Sequence, residues 1–451
     1  MNVGKVQAKK ILFALLLGVV GFAVATIFFT TTQAALLGSI TLLVALWTNE
    51  GLPLGVVSLL PIIIFPSFGI LNTKIVAANY SHPIIYLFLG GFLIAIAVEK
   101  SGLHVWLSDR VLALFPSTAR GIITSLAIAS GLLSSVLSNT TTTLLLISIA
   151  LFLTKEPKLK LRFALAIAYG ASIGGIMTPI GTPPNLILLG IMEEKGMEAI
   201  PFFQWMWMVA PVAIIMFGVL SVVLGYGVKN IKIEREKTKE KLTKDQSKIM
   251  YLIYGLISLL LINAPIKPYW SGLGLSESGI LLSAGLLLFF PPFNILNWDK
   301  DSAKVPFKIM FLFGAGFSIA KAFTMTGLAD EIASELITLS TMPFILLLIS
   351  VAIMVTFMTE ITSNTALISI MLPILYSVAA QTELNATLFM MVATVCASYA
   401  FMLPIATAPN AIAMSSGVVD IKTMAKYGFL LNIIGITVII FVALFFWKGI
   451  V

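Results

Sequence analysis

The chain has 451 residues, 59% hydrophobic and only 11% charged, with a mean hydropathy of +1.04; soluble domains carry about 25% charged residues, so this composition excludes one and describes an integral membrane protein. A single cysteine, Cys396, excludes a disulfide framework and a cysteine-rich metal site, and two distant histidines, His82 and His104, offer no zinc constellation. The net charge of +8 would suit a nucleic-acid partner in a soluble chain, but here it has first to be read against membrane orientation.

Lys5, Lys9 and Lys10 precede an apolar segment that continues well beyond signal-peptide length, so the segment is expected to remain as a span and no cleavable signal is needed. Apolar runs then recur along the whole chain at the length that crosses a hydrocarbon core of about 30 Å as α-helix, without the short alternating segments of an outer-membrane barrel. Spans are predicted near 11–31, 33–48, 52–71, 83–100, 161–192, 202–228, 249–264, 275–291, 307–326, 386–413 and 427–447, which makes about 11 transmembrane helices. Two further stretches, 119–153 and 343–380, are interrupted at Ser138-Asn139-Thr140 and Ser363-Asn364-Thr365. Their arms of about 13 to 15 residues would be about 20 Å long at 1.5 Å per residue, too short to cross. Both are predicted to be re-entrant helical hairpins whose polar tips meet inside protein or water. The fold class is therefore an all-α polytopic membrane protein, bathed in membrane lipid.

With the N-terminus placed inside, 23 of the 28 lysines and arginines fall on the inner side and only Lys74, Lys195, Lys267, Lys321 and Lys448 on the outer. That imbalance predicts a cytosolic N-terminus and an outer C-terminus in a cytoplasmic membrane. It also accounts for the basic charge without any nucleic acid. The run from Lys229 through Lys241 reads as a solvated cytosolic linker, 229–248, between two halves.

The halves are related. Phe88 to Leu103 lies over Phe313 to Leu328 with eight of sixteen positions identical, at an offset of 225. At the same offset and without a gap, Ser138-Asn139-Thr140 lies over Ser363-Asn364-Thr365, and Met177 to Ile187 over Met402 to Ile412 with seven of eleven identical. One apolar block matching another is common in membrane proteins; three in one register indicate an internal repeat. The fourth and ninth spans hold equivalent positions yet cross in opposite directions. The repeats are therefore expected to be inverted, an architecture that places substrate sites near the midplane at paired helix interruptions. The predicted organisation is 1–48 with the first two spans, 49–228 as first repeat, 249–426 as second, and 427–451 as the last span.

Each repeat offers a Ser-Asn-Thr tip and a break in a spanning helix, Gly181-Thr182-Pro183-Pro184-Asn185 or Ala406-Thr407-Ala408-Pro409-Asn410. Proline removes an amide donor and clashes with the preceding turn, so the helix opens and exposes carbonyl groups. Free carbonyls, hydroxyls and the asparagine oxygen are hard neutral ligands of the kind sodium favours, whereas free amides at half-helix N-termini suit a carboxylate. No Arg or Lys lies within the four motifs, so co-bound cations would have to compensate an anion. A lone Ser-Asn-Thr would read as a helix cap and a lone Pro-Pro-Asn as a kink; their pairing points to a binding site.

These residues, with Asn49-Glu-Gly-Leu-Pro-Leu, Gly90-Gly-Phe-Leu and Glu99-Lys-Ser-Gly-Leu-His, resemble the divalent anion/sodium symporter family of di- and tricarboxylate and sulfate carriers over nearly the whole chain. The resemblance implies a homodimer with scaffold and transport domains moving as an elevator. It implies that Asn139, Thr140, Asn364 and Thr365 bind substrate carboxylates with Ser138, Ser363, Thr182 and Thr407 nearby. It further implies one sodium site at Ser134, Ser138, Asn139 and Gly181 and its repeat mate at Thr359, Thr362, Asn364 and Ala406. Ala408 departs from the family, many members of which have a second proline there as in Pro183-Pro184.

The leading expectation is sodium-coupled symport of C4-dicarboxylates such as succinate, malate or fumarate, with no organic cofactor. A sodium-independent dicarboxylate or tricarboxylate exchanger is the alternative. A passive channel would need a continuous polar path, and an enzyme a titratable acid–base pair that these motifs lack. Glu360 is expected to order its hairpin through backbone or basic partners, and Lys321 to snorkel to the interface.

Overall fold

The computed structural model describes residues 2–228, 231–233, 241–265, 269–335, 343–382 and 384–450. Its helices in chain order are α1 (Asn2–Ala25), α2 (Thr31–Asn49), α3 (Leu54–Val57), α4 (Pro61–Ser67), α5 (Thr73–Asn79), α6 (Pro83–Lys100) and α7 (Leu103–Ala113). Next come α8 (Ala119–Ser134), α9 (Asn139–Phe152), α10 (Pro157–Gly175), α11 (Pro183–Glu194), α12 (Phe202–Gly225), α13 (Lys244–Asn263), α14 (Glu277–Leu287) and α15 (Trp298–Asp301). The last are α16 (Phe307–Met325), α17 (Leu328–Glu335), α18 (Phe344–Met358), α19 (Asn364–Gln381), α20 (Ala386–Ala397), α21 (Ala408–Ser415) and α22 (Ile421–Phe445). Among the described residues eight helical segments are long and apolar enough to cross a membrane, namely α1, α2, α5 with α6, α12, α13, α16, α19 and α22.

Several expected boundaries are corrected. The span at 52–71 is two short helices, because Pro61 cannot donate back into α3 and restarts the chain as α4. The span at 275–291 contains only the 11 residues of α14, about 16 Å of helix, and Pro291-Pro292 closes it off. Within the second hairpin α19 runs for 18 residues rather than the expected 13 to 15, with Pro373 inside it. Residues 229–230 and 234–240 of the basic linker, Lys237 among them, lie outside the described residues, as does Lys267. Lys232 is described and forms an antiparallel bridge with Thr118, at the foot of the first hairpin.

Helix starts repeat at the sequence offset, the first pair to within one residue. α6, α8, α9 and α11 begin at 83, 119, 139 and 183, while α16, α18, α19 and α21 begin at 307, 344, 364 and 408. The first pair runs antiparallel. His82 at the start of α6 packs on Phe317 with ring centroids 4.5 Å apart, Phe88 packs on Phe313, and Glu99 and Lys100 at its end pair with Lys304 and Asp301 before α16. As α6 rises in number its partners on α16 fall. Burial works against the Asp301 carboxylate, but the Lys100 ammonium 2.6 Å away and the Asn297 amide outweigh it and hold its pKa below the ordinary value.

α10 forms the centre of the first repeat. Gly170 and Gly174 sit one helical turn apart and meet Ala127 and Gly131 on α8, so that small residues let two backbones touch. A Cβ at Gly174 would lie 2.1 Å from both Cα and carbonyl oxygen of Gly131. Backbone on both sides leaves nothing to yield. Gly174→Val is therefore expected to destabilise the chain by about 3 kcal/mol or more through overpacking, read as lost folded yield by size-exclusion fluorescence, whereas Gly218→Ala, with open space around it, leaves the yield unchanged.

Candidate binding site at two paired tips and breaks

Both hairpin tips have the same construction. α8 ends at Ser134, which is fully buried, and its hydroxyl donates to Asn139 Oδ1 at 2.5 Å across the turn that starts α9. In the second hairpin the Thr359 hydroxyl lies 2.5 Å from Asn364 Oδ1 and 2.8 Å from the Ala397 carbonyl, so one hydrogen serves two acceptors. In each tip an alcohol oxygen and an amide oxygen, both neutral, are pinned side by side. Ser138 caps α9 by accepting from the Thr141 amide and also donates to the Thr141 hydroxyl, so the first tip is a helix cap as well as a candidate site. Ser363 starts α19 without a side-chain cap. Thr365 is buried behind it and Thr140 is exposed at the first tip. The Thr362 hydroxyl donates back to the Met358 carbonyl at 2.7 Å along its own turn.

Both breaks are held open by an asparagine. After α10 ends at Gly175, Asn185 Nδ2 reaches back to the carbonyls of Gly175 at 3.3 Å and Thr178 at 2.8 Å. After α20, Asn410 Nδ2 takes the carbonyls of Ala400 at 2.9 Å and Leu403 at 3.0 Å. Every one of these positions is repeat-related. Both asparagines are fully buried, and among the described residues the Oδ1 of each has no hydrogen-bond partner. A buried carbonyl left unsatisfied costs roughly 1–3 kcal/mol, so the two repeat-related amide oxygens are further candidate acceptors beside the tips. Asn185 and Asn410 belong to the quoted motifs but were not assigned as ligands; their recurrence in the matched blocks was the signal available. Thr182 and Thr407 occupy the N-caps of α11 and α21, and only Thr407 accepts from an amide, that of Asn410. The prolines fall in the first turn, where a missing N–H costs nothing.

Tip and break are locked together in each repeat, by different chemistry. Around the first tip a Cβ at Gly175 would lie 2.8 Å from Asn139 Oδ1, and one at Gly181 would lie 2.4 Å from the Gly175 carbonyl. Close approach thus requires glycine at both positions, and it brings Ser134, Asn139 and Gly181 into one cluster. The repeat mates are Ala400 and Ala406. The Thr178 hydroxyl bonds the Ser135 carbonyl. At the matching position the buried Glu360 carboxylate instead accepts from the amides of Met402 and Leu403 at 2.9 Å each and from Asn432 Nδ2 at 2.7 Å. Glu360 orders its hairpin through backbone groups, as expected. Lys321 does not simply snorkel, since its ammonium is 3.1 Å from Glu194 at the end of α11.

The halves interlock. α11 packs on α19 and α21 on α9, so the helix following each break lies against the other repeat's hairpin. A cavity of about 640 Å³ opens on the first tip at Ser138 and Thr140. An apolar groove of about 550 Å³ between α13 and α14 carries none of the motif residues. The arrangement offers oxygen ligands for a small hard cation and amide and hydroxyl donors for an anion, without a metal-binding cluster of His, Cys, Asp or Glu among the described residues.

The citrate transporter family matches residues 42–394. The sodium-dependent dicarboxylate transporter SdcS of Staphylococcus saprophyticus is 32% identical over 443 residues, covering 90% of this chain and 85% of that protein. SdcS of Staphylococcus aureus is 33% identical, covering 96% and 90%. Among solved structures the YdaH transporter of Alcanivorax borkumensis superposes with a TM-score of 0.60 at 14% identity over 83% of this chain and 88% of that one. MtrF of Neisseria gonorrhoeae gives 0.58 at 14% identity over 81% and 82%. At such identity these two are similar in fold alone.

Proposed function

The chain belongs to the citrate transporter family, among the divalent anion/sodium symporters, and from that premise we propose that it carries C4-dicarboxylates such as succinate, malate or fumarate into the cell together with sodium. The observation that supports this reading most is the repeat-related pairing of Ser134 with Asn139 and Thr359 with Asn364, each an alcohol and an amide oxygen held at 2.5 Å. Two such oxygen clusters fit two sodium ions, Gly181 and Ala406 supplying carbonyl oxygens from the breaks. Between them the amides that begin α9 and α19, with Thr140 and Thr365, bind the carboxylates. Two cations balance a dianion that meets no fixed cationic side chain in the four motifs. SdcS, by its name a sodium-dependent dicarboxylate transporter, is consistent with this reading.

The carrier works as a homodimer in the cytoplasmic membrane by an elevator movement of the hairpins and breaks against a scaffold. In the orientation proposed, the end of the molecule holding Lys100, Lys248 and Lys304 is cytosolic and the end holding Lys195 and Lys321 is external. With buried Cys396 replaced, a cysteine near Lys237 is expected to react only with a cytosolic impermeant reagent and one near Lys267 only with an external one. Reaction of both from one face would break the inverted arrangement.

The deciding experiment is succinate uptake into proteoliposomes while sodium and a potassium–valinomycin potential are varied separately. Uptake is expected to require sodium with a Hill slope above one. If a third sodium accompanies the dianion, one positive charge enters per cycle, and 100 mV, negative inside, adds about 2.3 kcal/mol of driving force. A sodium requirement without a voltage response keeps two ions and rejects the third; indifference to sodium leaves the exchanger.

A further inference from the structure

The cavity beside the first tip combines neutral oxygens with lysine. Ser138 and Thr140 line it from the hairpin, Glu99 from α6, and Lys304 and Lys308 from the entrance to α16. The two lysines differ. Lys304 is ion-paired, its ammonium 3.1 Å from Glu99 Oε1. Lys308 is exposed and makes no hydrogen bond or ion pair among the described residues, while its stem packs at Gly55 of α3.

The repeat shows that this charge is local to one side. At the offset of 225, Lys304 and Lys308 correspond to Asn79 and Pro83, which are uncharged. The wall residue Ile96 corresponds to Lys321, which is paired with Glu194, and Thr324, the repeat mate of Glu99, accepts from the Lys195 ammonium at 2.7 Å. Among the described residues Lys308 is thus the lysine of the first cavity that is left without a hydrogen bond or ion pair.

We propose that Lys308 is a positioning residue for the dicarboxylate on the side where this cavity opens, drawing a doubly charged substrate to the first tip and favouring dianions over monoanions. The proposal rests on the symport reading and adds to it a residue outside the four motifs. A cleft with low-dielectric walls focuses the field of such a charge on an anion within it, whereas the co-bound cations neutralise the anion only after it has reached the tips. Lys308 thus governs capture and release at the inner face and leaves capture at the outer face untouched.

Inside-out and right-side-out vesicles carrying the full chain separate the two faces. Lys308→Gln is expected to raise the half-saturating succinate about fivefold from the inner face, with the outer half-saturation unchanged. Lys308→Arg restores the inner value, and added salt at constant sodium erodes the wild-type advantage. Equal inner half-saturation in wild type and Lys308→Gln, or an equal rise at both faces, would overturn the proposal. So would failure of Lys308→Arg to rescue, since the stem packing rather than the charge would then matter. If wild-type vesicles of neither orientation take up succinate with sodium, the symport reading fails first and this inference with it.

Discussion

Asn139→Ala and Asn364→Ala are each expected to lower sodium-driven uptake at least tenfold while expression stays near the wild-type level. In both tips the asparagine oxygen is the partner of a buried alcohol, Ser134 or Thr359. Alanine removes the oxygen that a cation would share with the alcohol and the donor that a carboxylate would use. It also leaves the alcohol with one partner fewer, a loss of roughly 1–3 kcal/mol for a buried polar group and more for a charged one. At about 1.4 kcal/mol per factor of ten, losing a contact to substrate and one to an ion together exceeds tenfold. Folding is affected less, because each hairpin is held chiefly by the helices packed along its arms. Uptake of labelled succinate, normalised to surface protein, measures the effect, and near-normal uptake by either variant would take that tip out of the mechanism.

The two tips were legible in the sequence because an exact three-residue motif recurred in one ungapped register with two longer blocks. The same register anticipated both breaks, since proline and asparagine at matched positions leave few alternatives to an opened helix. Less visible was what tertiary packing decides. Pro53, Pro61 and Pro66 could be seen in the span at 52–71, yet its uniform hydrophobicity concealed the division into α3 and α4. Hydropathy also counts α14 together with the phenylalanines that follow it, although Pro291-Pro292 ends the segment. The acceptors of Asn185 and Asn410 lie seven and ten residues back, across an irregular turn that no periodicity describes. Most hidden was Lys308, which belongs to no motif and gains its meaning only because the turn before α16 folds against the first hairpin.

Glu360→Gln is expected to be nearly as damaging as Glu360→Ala, a result that separates an acceptor from a mere charge. The carboxylate uses both oxygens, Oε1 toward Met402 N–H and Asn432 Nδ2 and Oε2 toward Leu403 N–H. Glutamine keeps one oxygen and points an NH2 group at one of the two amides, so a buried donor faces a donor. Alanine leaves three donors unpaired. Hydrogen bonds to a charged group contribute about 1.5–3 kcal/mol each, so either variant should lose about 2 kcal/mol or more from the hold on the second break. The first repeat makes the comparison internal. There Ser135 occupies the equivalent position and the Thr178 hydroxyl makes the link, so Thr178→Val removes a single neutral bond and costs about 1 kcal/mol. Thermal unfolding in detergent, with and without sodium, measures both effects. Glu360→Gln should lower the midpoint clearly more than Thr178→Val and flatten the sodium response of the second site. A Glu360→Gln protein with wild-type midpoint and wild-type sodium dependence would show that the break at Met402 and Leu403 holds its shape without the carboxylate, and would leave the charge of Glu360 without a structural task.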